Sequence, residues 1–186
     1  MPETGEARQA DNGVLITLAP KASDLGHLLR AAIDAEQVGG TRLHLAADQA
    51  EPAEIVRALR EQTTLVLTAE PGFGAAELLD PAELDEIILD PDDPQALVAR
   101  VAEIVAQHPA GVSIGANGAA ALPVLLAALA AGADIRVGTA DAPAPGEPRG
   151  GGRDDAALVA RAAGLARIAG RAPLDPAAAQ RRLRLV

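Results

Sequence analysis

Val14-Leu15-Ile16-Thr17-Leu18-Ala19, then Asp24 to Gln37, then Arg42-Leu43-His44-Leu45-Ala46-Ala47, is the stretch on which the fold turns. The first and last segments are short β-rich runs. Between them Leu25, Leu28, Leu29, Ala32, Ile33 and Ala35 recur at helical spacing and make one apolar stripe. Gly39-Gly40 then stops the helix, as glycines past a helix C-terminus do. The whole reads as one strand–helix–strand unit.

The unit repeats. Further β-rich runs stand at Thr64–Thr68, Glu86–Leu89, Val112–Gly115 and Ile135–Val137. Their starts are spaced near the ~30 residues of a βαβ unit or slightly less. Several runs are continuously apolar, which suits parallel strands covered on both faces. Helices are predicted over Pro52–Glu61 (Ile55, Val56, Leu59), Pro94–Gln107 (Leu97, Val98, Val101, Ile104, Val105), Asp154–Ala169 and Pro176–Leu183. The acidic run Asp90–Asp93 enters the second of these, where negative charge favours a helix N-terminus. Ala119–Ala131 is nearly all apolar, so that helix is expected to be buried or to form an interface.

Two stretches break the alternation. Glu70 to Pro81, with Gly72-Phe73-Gly74, has room for one helical turn. Ala142 to Arg153, with Pro143, Pro145, Gly146, Pro148 and Gly150-Gly151-Gly152, predicts a mobile surface loop. The expectation is a single α/β domain over residues 1–186 with about six parallel strands, right-handed crossovers and a flexible segment at 1–12. Either a shortened barrel or an open doubly wound sheet satisfies this pattern. Six strands in 186 residues fall short of the eight strands and roughly 250 residues of a complete barrel.

Composition narrows the function classes. Phe73 is the only aromatic residue among Phe, Tyr and Trp, so the core is built from Ala, Leu, Val and Ile. There is no Cys, which removes disulfides and thiolate metal sites. The formal charge of -10, with Lys21 the only lysine, argues against a nucleic-acid partner, because phosphate backbones are held by clusters of Lys and Arg. Residues 1–12 carry no apolar signal segment, and Ala119–Ala133 is shorter than the roughly 20 residues of a membrane span. A cytoplasmic protein with no membrane partner is expected.

In both architectures functional groups gather at the carboxyl ends of strands. The candidates there are Lys21, His44 and Asp48, Thr68 and Glu70, Asp90, the Gly115-Ala116-Asn117-Gly118 turn, and Gly138-Thr139-Ala140-Asp141. His44 is either a metal ligand or acid/base group, or a core histidine satisfied by a backbone carbonyl. His27 and His108 read as surface residues. Gly115, Asn117 and Gly118 precede a helix, so their N–H groups could hold a phosphate, although a strand-to-helix turn needs glycine in any case. Arg136 interrupts an apolar strand. It is either paired inside, with Asp134 or Asp141, or it binds a carboxylate or phosphate.

The segment Ala131-Gly132-Ala133-Asp134-Ile135-Arg136-Val137-Gly138-Thr139-Ala140-Asp141 resembles the last barrel strand of the β-keto acid cleavage enzymes, the 3-keto-5-aminohexanoate cleavage group, with its Gly-His-Val-Arg-Val-Gly-Leu-Glu-Asp-Asn pattern. Ala157–Ala166 with Gly170-Arg171-Ala172 is similar to that family's terminal helix and Gly-Arg turn, and Pro176–Leu183 to its final short helix. Gly118 to Pro123 resembles a Gly-Arg-Ala-Gln-Leu-Pro turn, and Ala31–Leu45 the first helix and the strand that ends in His-Leu-His-Ala-Arg-Asp. The resemblance covers most of residues 14–68 and 111–186 and implies a TIM-barrel-like fold from whose middle one or two strand–helix units are absent.

It further implies acyl exchange between a β-keto acid and acetyl-CoA, giving acetoacetate and a new acyl-CoA; the alternative is a non-catalytic homologue that acts as an anion- or CoA-type ligand-binding or oligomeric scaffold protein. Zn(2+) would serve as Lewis acid. A homo-oligomer is also expected, because a reduced barrel leaves sheet edges to cover. Residue by residue, His44 matches the first metal-binding His, Ala46 stands at the second and Ala140 at the metal-binding Glu; Ala119 stands at the Arg of the Gly-Arg-Ala turn. Arg136 and Asp141 match the substrate-side Arg and Asp and are the candidate catalytic pair. Thr68, Gly115, Asn117 and Gly118 are the candidate ligand-binding residues, and Asp48 or Glu70 are candidate replacement metal ligands.

Overall fold

A computed structural model describes residues 12–21, 24–80, 84–89, 94–116, 120–140 and 153–184. Six strands, β1 (Ile16–Leu18), β2 (Arg42–Leu45), β3 (Val66–Ala69), β4 (Asp85–Leu89), β5 (Val112–Ala116) and β6 (Asp134–Val137), form one parallel sheet. Between and after them run α1 (Leu25–Gln37), α2 (Pro52–Gln62), α3 (Pro94–Gln107), α4 (Ala121–Ala130), α5 (Arg153–Ile168) and α6 (Pro176–Arg184).

The strand order is β3-β2-β1-β6-β5-β4. First and last strands are therefore neighbours, with Ile16, Thr17 and Leu18 opposite Ile135, Arg136 and Val137. A doubly wound sheet would insert its later strands beside the first in a different order. The order seen is that of a barrel cut between β3 and β4, a curled half-barrel, and the open-sheet alternative is set aside. The cut falls where the strand–helix rhythm fails: a 3-10 turn at Ala76–Leu78 stands between β3 and β4 in place of a helix. The free edge of β3 is covered in part by Asp80, whose N–H donates to the Leu67 carbonyl (2.9 Å) and whose carboxylate accepts from the Leu67 N–H (2.8 Å). Arg60 holds that carboxylate at 2.9 Å.

Alternation sorts the strand residues onto two faces. Ile16, Leu18, Leu43, Leu45, Leu67, Leu89, Val112, Ile114, Ile135 and Val137 pack outward against the helices and make the main core. The opposite face lines the barrel. Leu15, Val66 and Leu84 meet Leu174, Ala178, Ala179 and Leu183 there, so α6 closes the amino-terminal end. Above this apolar plug the interior is mostly polar, with Thr17, Arg42, His44, Thr68, Glu86, Ser113 and Arg136, while Asp134 lies at the floor beside Leu15.

Element bounds follow the sequence to within about two residues. The nearly all-apolar helix starts at Ala121 and still exposes Leu122 and Leu126. Arg153, read as the end of a loop, begins α5. Residues 142–152 of that loop, the acidic run 90–93 and the N-terminal residues 1–11 lie outside the described residues.

Candidate functional site: a guanidinium–carboxylate cluster inside the barrel

Arg42 and His44 are two apart on β2, so both point into the barrel. Arg136 enters from β6 and Glu86 from β4. Glu86 joins them. One carboxylate oxygen, Oε1, is bonded by the Arg42 guanidinium and lies 3.3 Å from His44 Nδ1; the other, Oε2, is bonded by Arg136. Arg42 Nε also donates to Thr17 Oγ1 at 2.9 Å, and His44 Nδ1 lies 3.1 Å from Thr68 Oγ1. The Arg42 side chain is 1 % exposed, those of Arg136, His44 and Glu86 9 %, 13 % and 15 %.

The electrostatics follow from this burial. Desolvation pushes the Glu86 carboxyl up, but the Arg42 and Arg136 guanidiniums, and His44 when protonated, outweigh it and hold the group below its ordinary value, so it is ionised. Burial pushes the His44 imidazole below its ordinary value. Glu86 opposes that shift, while Arg136 and Arg42 reinforce it, so the ring is neutral at neutral pH. Burial also pulls the Arg42 guanidinium down, against Glu86 and Asp134, yet a guanidinium keeps its proton in proteins.

Asp134 serves the other end of the barrel. Its Oδ1 accepts from the Leu15 N–H at 2.9 Å, and its Oδ2 lies 3.3 Å from Arg182 Nε. Arg171 stands 3.9 Å from Oδ1 and donates to the carbonyls of Ala133, Leu129 and Gly13. Burial pushes this carboxyl above its ordinary value, against the pull of Arg182, the Leu15 N–H and Arg171. Asp134 thus ties α6 and the Gly-Arg turn to the barrel floor, and Glu86 is a carboxylate bonded by Arg136.

Of the residues singled out from sequence, the structure brings together His44, Thr68 and Arg136. Among the described residues, the His44 ring faces the Thr68 hydroxyl and Glu86. Gly115 serves packing: a Cβ there would stand 2.9 Å from Ile88 and 3.0 Å from the Arg136 carbonyl. Asn117, Gly118 and Asp141 lie outside the described residues. Gly138 is required by close approach, since a Cβ would fall 2.0 Å from the Ala19 carbonyl. The turn after it is pinned by Lys21 N–H to Thr139 Oγ1 (3.0 Å) and Thr139 N–H to Asp155 (3.0 Å). His27 is exposed against Asp24, the α1 N-cap, while His108 is half-buried at the end of α3 with its ring 2.7 Å from the Ile104 carbonyl. Arg42 and Glu86 are the members that the sequence reading passed over. The available signal was a charged residue two positions before His44 and another opening an apolar strand.

The donor set does not fit zinc. His44 supplies one nitrogen, while Ala46 and Ala140 supply no ligand atom. Among the described residues no three His, Asp or Glu side chains converge; Asp48 is exposed, and Glu70 accepts from the Ala47 N–H at 3.1 Å. A catalytic zinc needs three protein ligands, and two guanidinium groups beside His44 disfavour a cation.

The beta-keto acid cleavage enzyme family matches residues 88–185, just over half of the chain and including all of β5, β6 and α3 to α6. No curated protein matches the chain. Among solved structures, (S)-3-O-geranylgeranylglyceryl phosphate synthase from Thermoplasma acidophilum, in complex with its substrate sn-glycerol-1-phosphate, is similar at 13% identity with a TM-score of 0.45, over 100% of both chains. On the match over 88–185, the chain belongs to the β-keto acid cleavage enzyme family.

Proposed function

We propose that this protein binds the carboxylate of a small β-keto acid on Arg136, from the carboxyl-end mouth of the half-barrel, and that it does so without zinc. The observation that carries the reading is the position of Arg136. It is a guanidinium at a strand end inside a polar barrel, 9 % exposed, beside a neutral His44 and the Thr68 hydroxyl. Guanidinium groups take carboxylates through two parallel hydrogen bonds, and low local dielectric strengthens them. The His44 ring and Thr68 hydroxyl supply neutral hydrogen-bonding groups for the keto oxygen. Titration calorimetry with acetoacetate tests the reading: saturable binding is expected in the wild type and a loss of at least tenfold in Arg136→Met, the scale of a charge-assisted hydrogen bond. Equal affinity in both proteins refutes it.

A second reading is favoured by the family match over 88–185, which includes Arg136. In it, acetyl-CoA is the co-substrate and the bound β-keto acid exchanges acyl groups to give acetoacetate and a new acyl-CoA. The assay is acetoacetate formation from acetyl-CoA with a panel of β-keto acids, with and without added zinc. Turnover above the Arg136→Met background supports it, and none across the panel removes it.

A further inference from the structure

We propose that Glu86 is the specificity-determining residue of this site: it is a built-in counter-anion that a bound carboxylate displaces from Arg136, and it restricts the site to ligands with one carboxylate. The inference rests on the carboxylate-binding reading of Arg136 and goes beyond it by naming the residue that sets ligand charge.

The geometry makes the exchange feasible. Glu86 divides its two oxygens, Oε1 to Arg42 and His44, Oε2 to Arg136. Giving up Arg136 costs it one partner and leaves Oε1 on Arg42, so the group is never stranded without a counter-charge. Arg42 is not open to the same exchange. It is 1 % exposed and bonded by both Thr17 and Glu86. An incoming monocarboxylate therefore competes with Glu86 for Arg136 rather than for Arg42. A second carboxylate on the same ligand would meet the Glu86 charge, still anchored on Arg42 a few ångströms away, in a site where burial weakens screening. Replacing Glu86 by a neutral isostere removes both the competitor and the repulsion.

The experiment measures acetoacetate, with one carboxylate, and 3-oxoglutarate, with two, by titration calorimetry against wild type and Glu86→Gln, with circular dichroism and melting curves on both. The wild type is expected to prefer acetoacetate. Glu86→Gln is expected to bind acetoacetate more tightly and to shift the preference towards 3-oxoglutarate by roughly tenfold or more, the scale of one charge-assisted interaction. A folded Glu86→Gln protein with unchanged or weakened binding and an unchanged preference overturns the inference. Where Glu86→Gln fails to fold, the wild type labelled with 13C at the glutamate carboxyls gives the answer, Glu86→Asp serving to assign the signal. The Glu86 resonance is expected to move as acetoacetate saturates the site, and a resonance that stays fixed at saturation overturns the inference. The two readings fail separately. Loss of all binding in wild type and Glu86→Gln alike refutes the carboxylate site itself. Binding that needs Arg136 but ignores Glu86 refutes only the role assigned here.

Discussion

Glu86 reaches from β4 to β2 and β6, and it is the residue on which stability and function meet. A buried ion pair contributes little net stability when intact, yet removing one partner strands the other and costs about 3–5 kcal/mol. Glu86→Gln leaves Arg42 and Arg136 facing each other and should lower the urea midpoint at neutral pH. The pH dependence has a definite sign. The Glu86 carboxyl is held below its ordinary value in the folded chain. Its contribution is therefore present above the ordinary glutamate value and is lost as pH falls through that value towards the folded one. The gap in urea midpoint between wild type and Glu86→Gln should narrow steadily across that acid range. A gap that stays constant to acid pH would show that the Glu86 charge is not what stabilises the cluster. At this scale the sequence revealed Arg136 as an arginine in an apolar strand. It did not reveal the partner, because Glu86 lies 50 residues away and only curling of the sheet brings it across.

At the scale of elements, local pattern and fold agree. The stripe on α1 and the continuous apolar runs of the strands appear where periodicity places them, because burial on both faces of a parallel sheet is written into consecutive residues. The role of α6 was not legible in the same way. Its short sequence reads as a terminal helix, but in the structure Leu183, 1 % exposed, packs with Leu15, Val66 and Leu84 as the floor of the barrel. Leu183→Ala should cost about 2–5 kcal/mol in chemical denaturation, the usual range for a buried leucine. A cost below 1 kcal/mol would mean the floor is sealed by other residues. The Asp134 contacts with Arg182 and the Leu15 N–H fasten the same helix to the floor.

At the scale of the whole molecule the half-barrel has one seam. β1, β2, β5 and β6 each have a strand on both sides, while β3 and β4 have a strand on one side only. The seam is bridged from within by the Arg42–Glu86 pair and from the edge by Asp80 on Leu67. Hydrogen exchange should therefore be slowest in β1 and β6 and fastest in β4, with Leu67 protected relative to its neighbours on the free edge of β3. Uniform protection across β1 to β6 would contradict an open seam. No helix of the described residues is long and apolar enough to cross a membrane.

The sequence by itself determined the α/β class, the parallel strands, the near-exact positions of most elements and the family signature around Arg136. Those properties depend on periodicity and on residues that are close in the chain. Only the tertiary structure decided between barrel and open sheet, since that rests on β6 pairing with β1 across more than a hundred residues. Only it showed that the barrel interior is an arginine–glutamate cluster with a neutral histidine, because charges on β2, β4 and β6 become neighbours when the sheet curls, and their mutual burial sets which of them stays ionised.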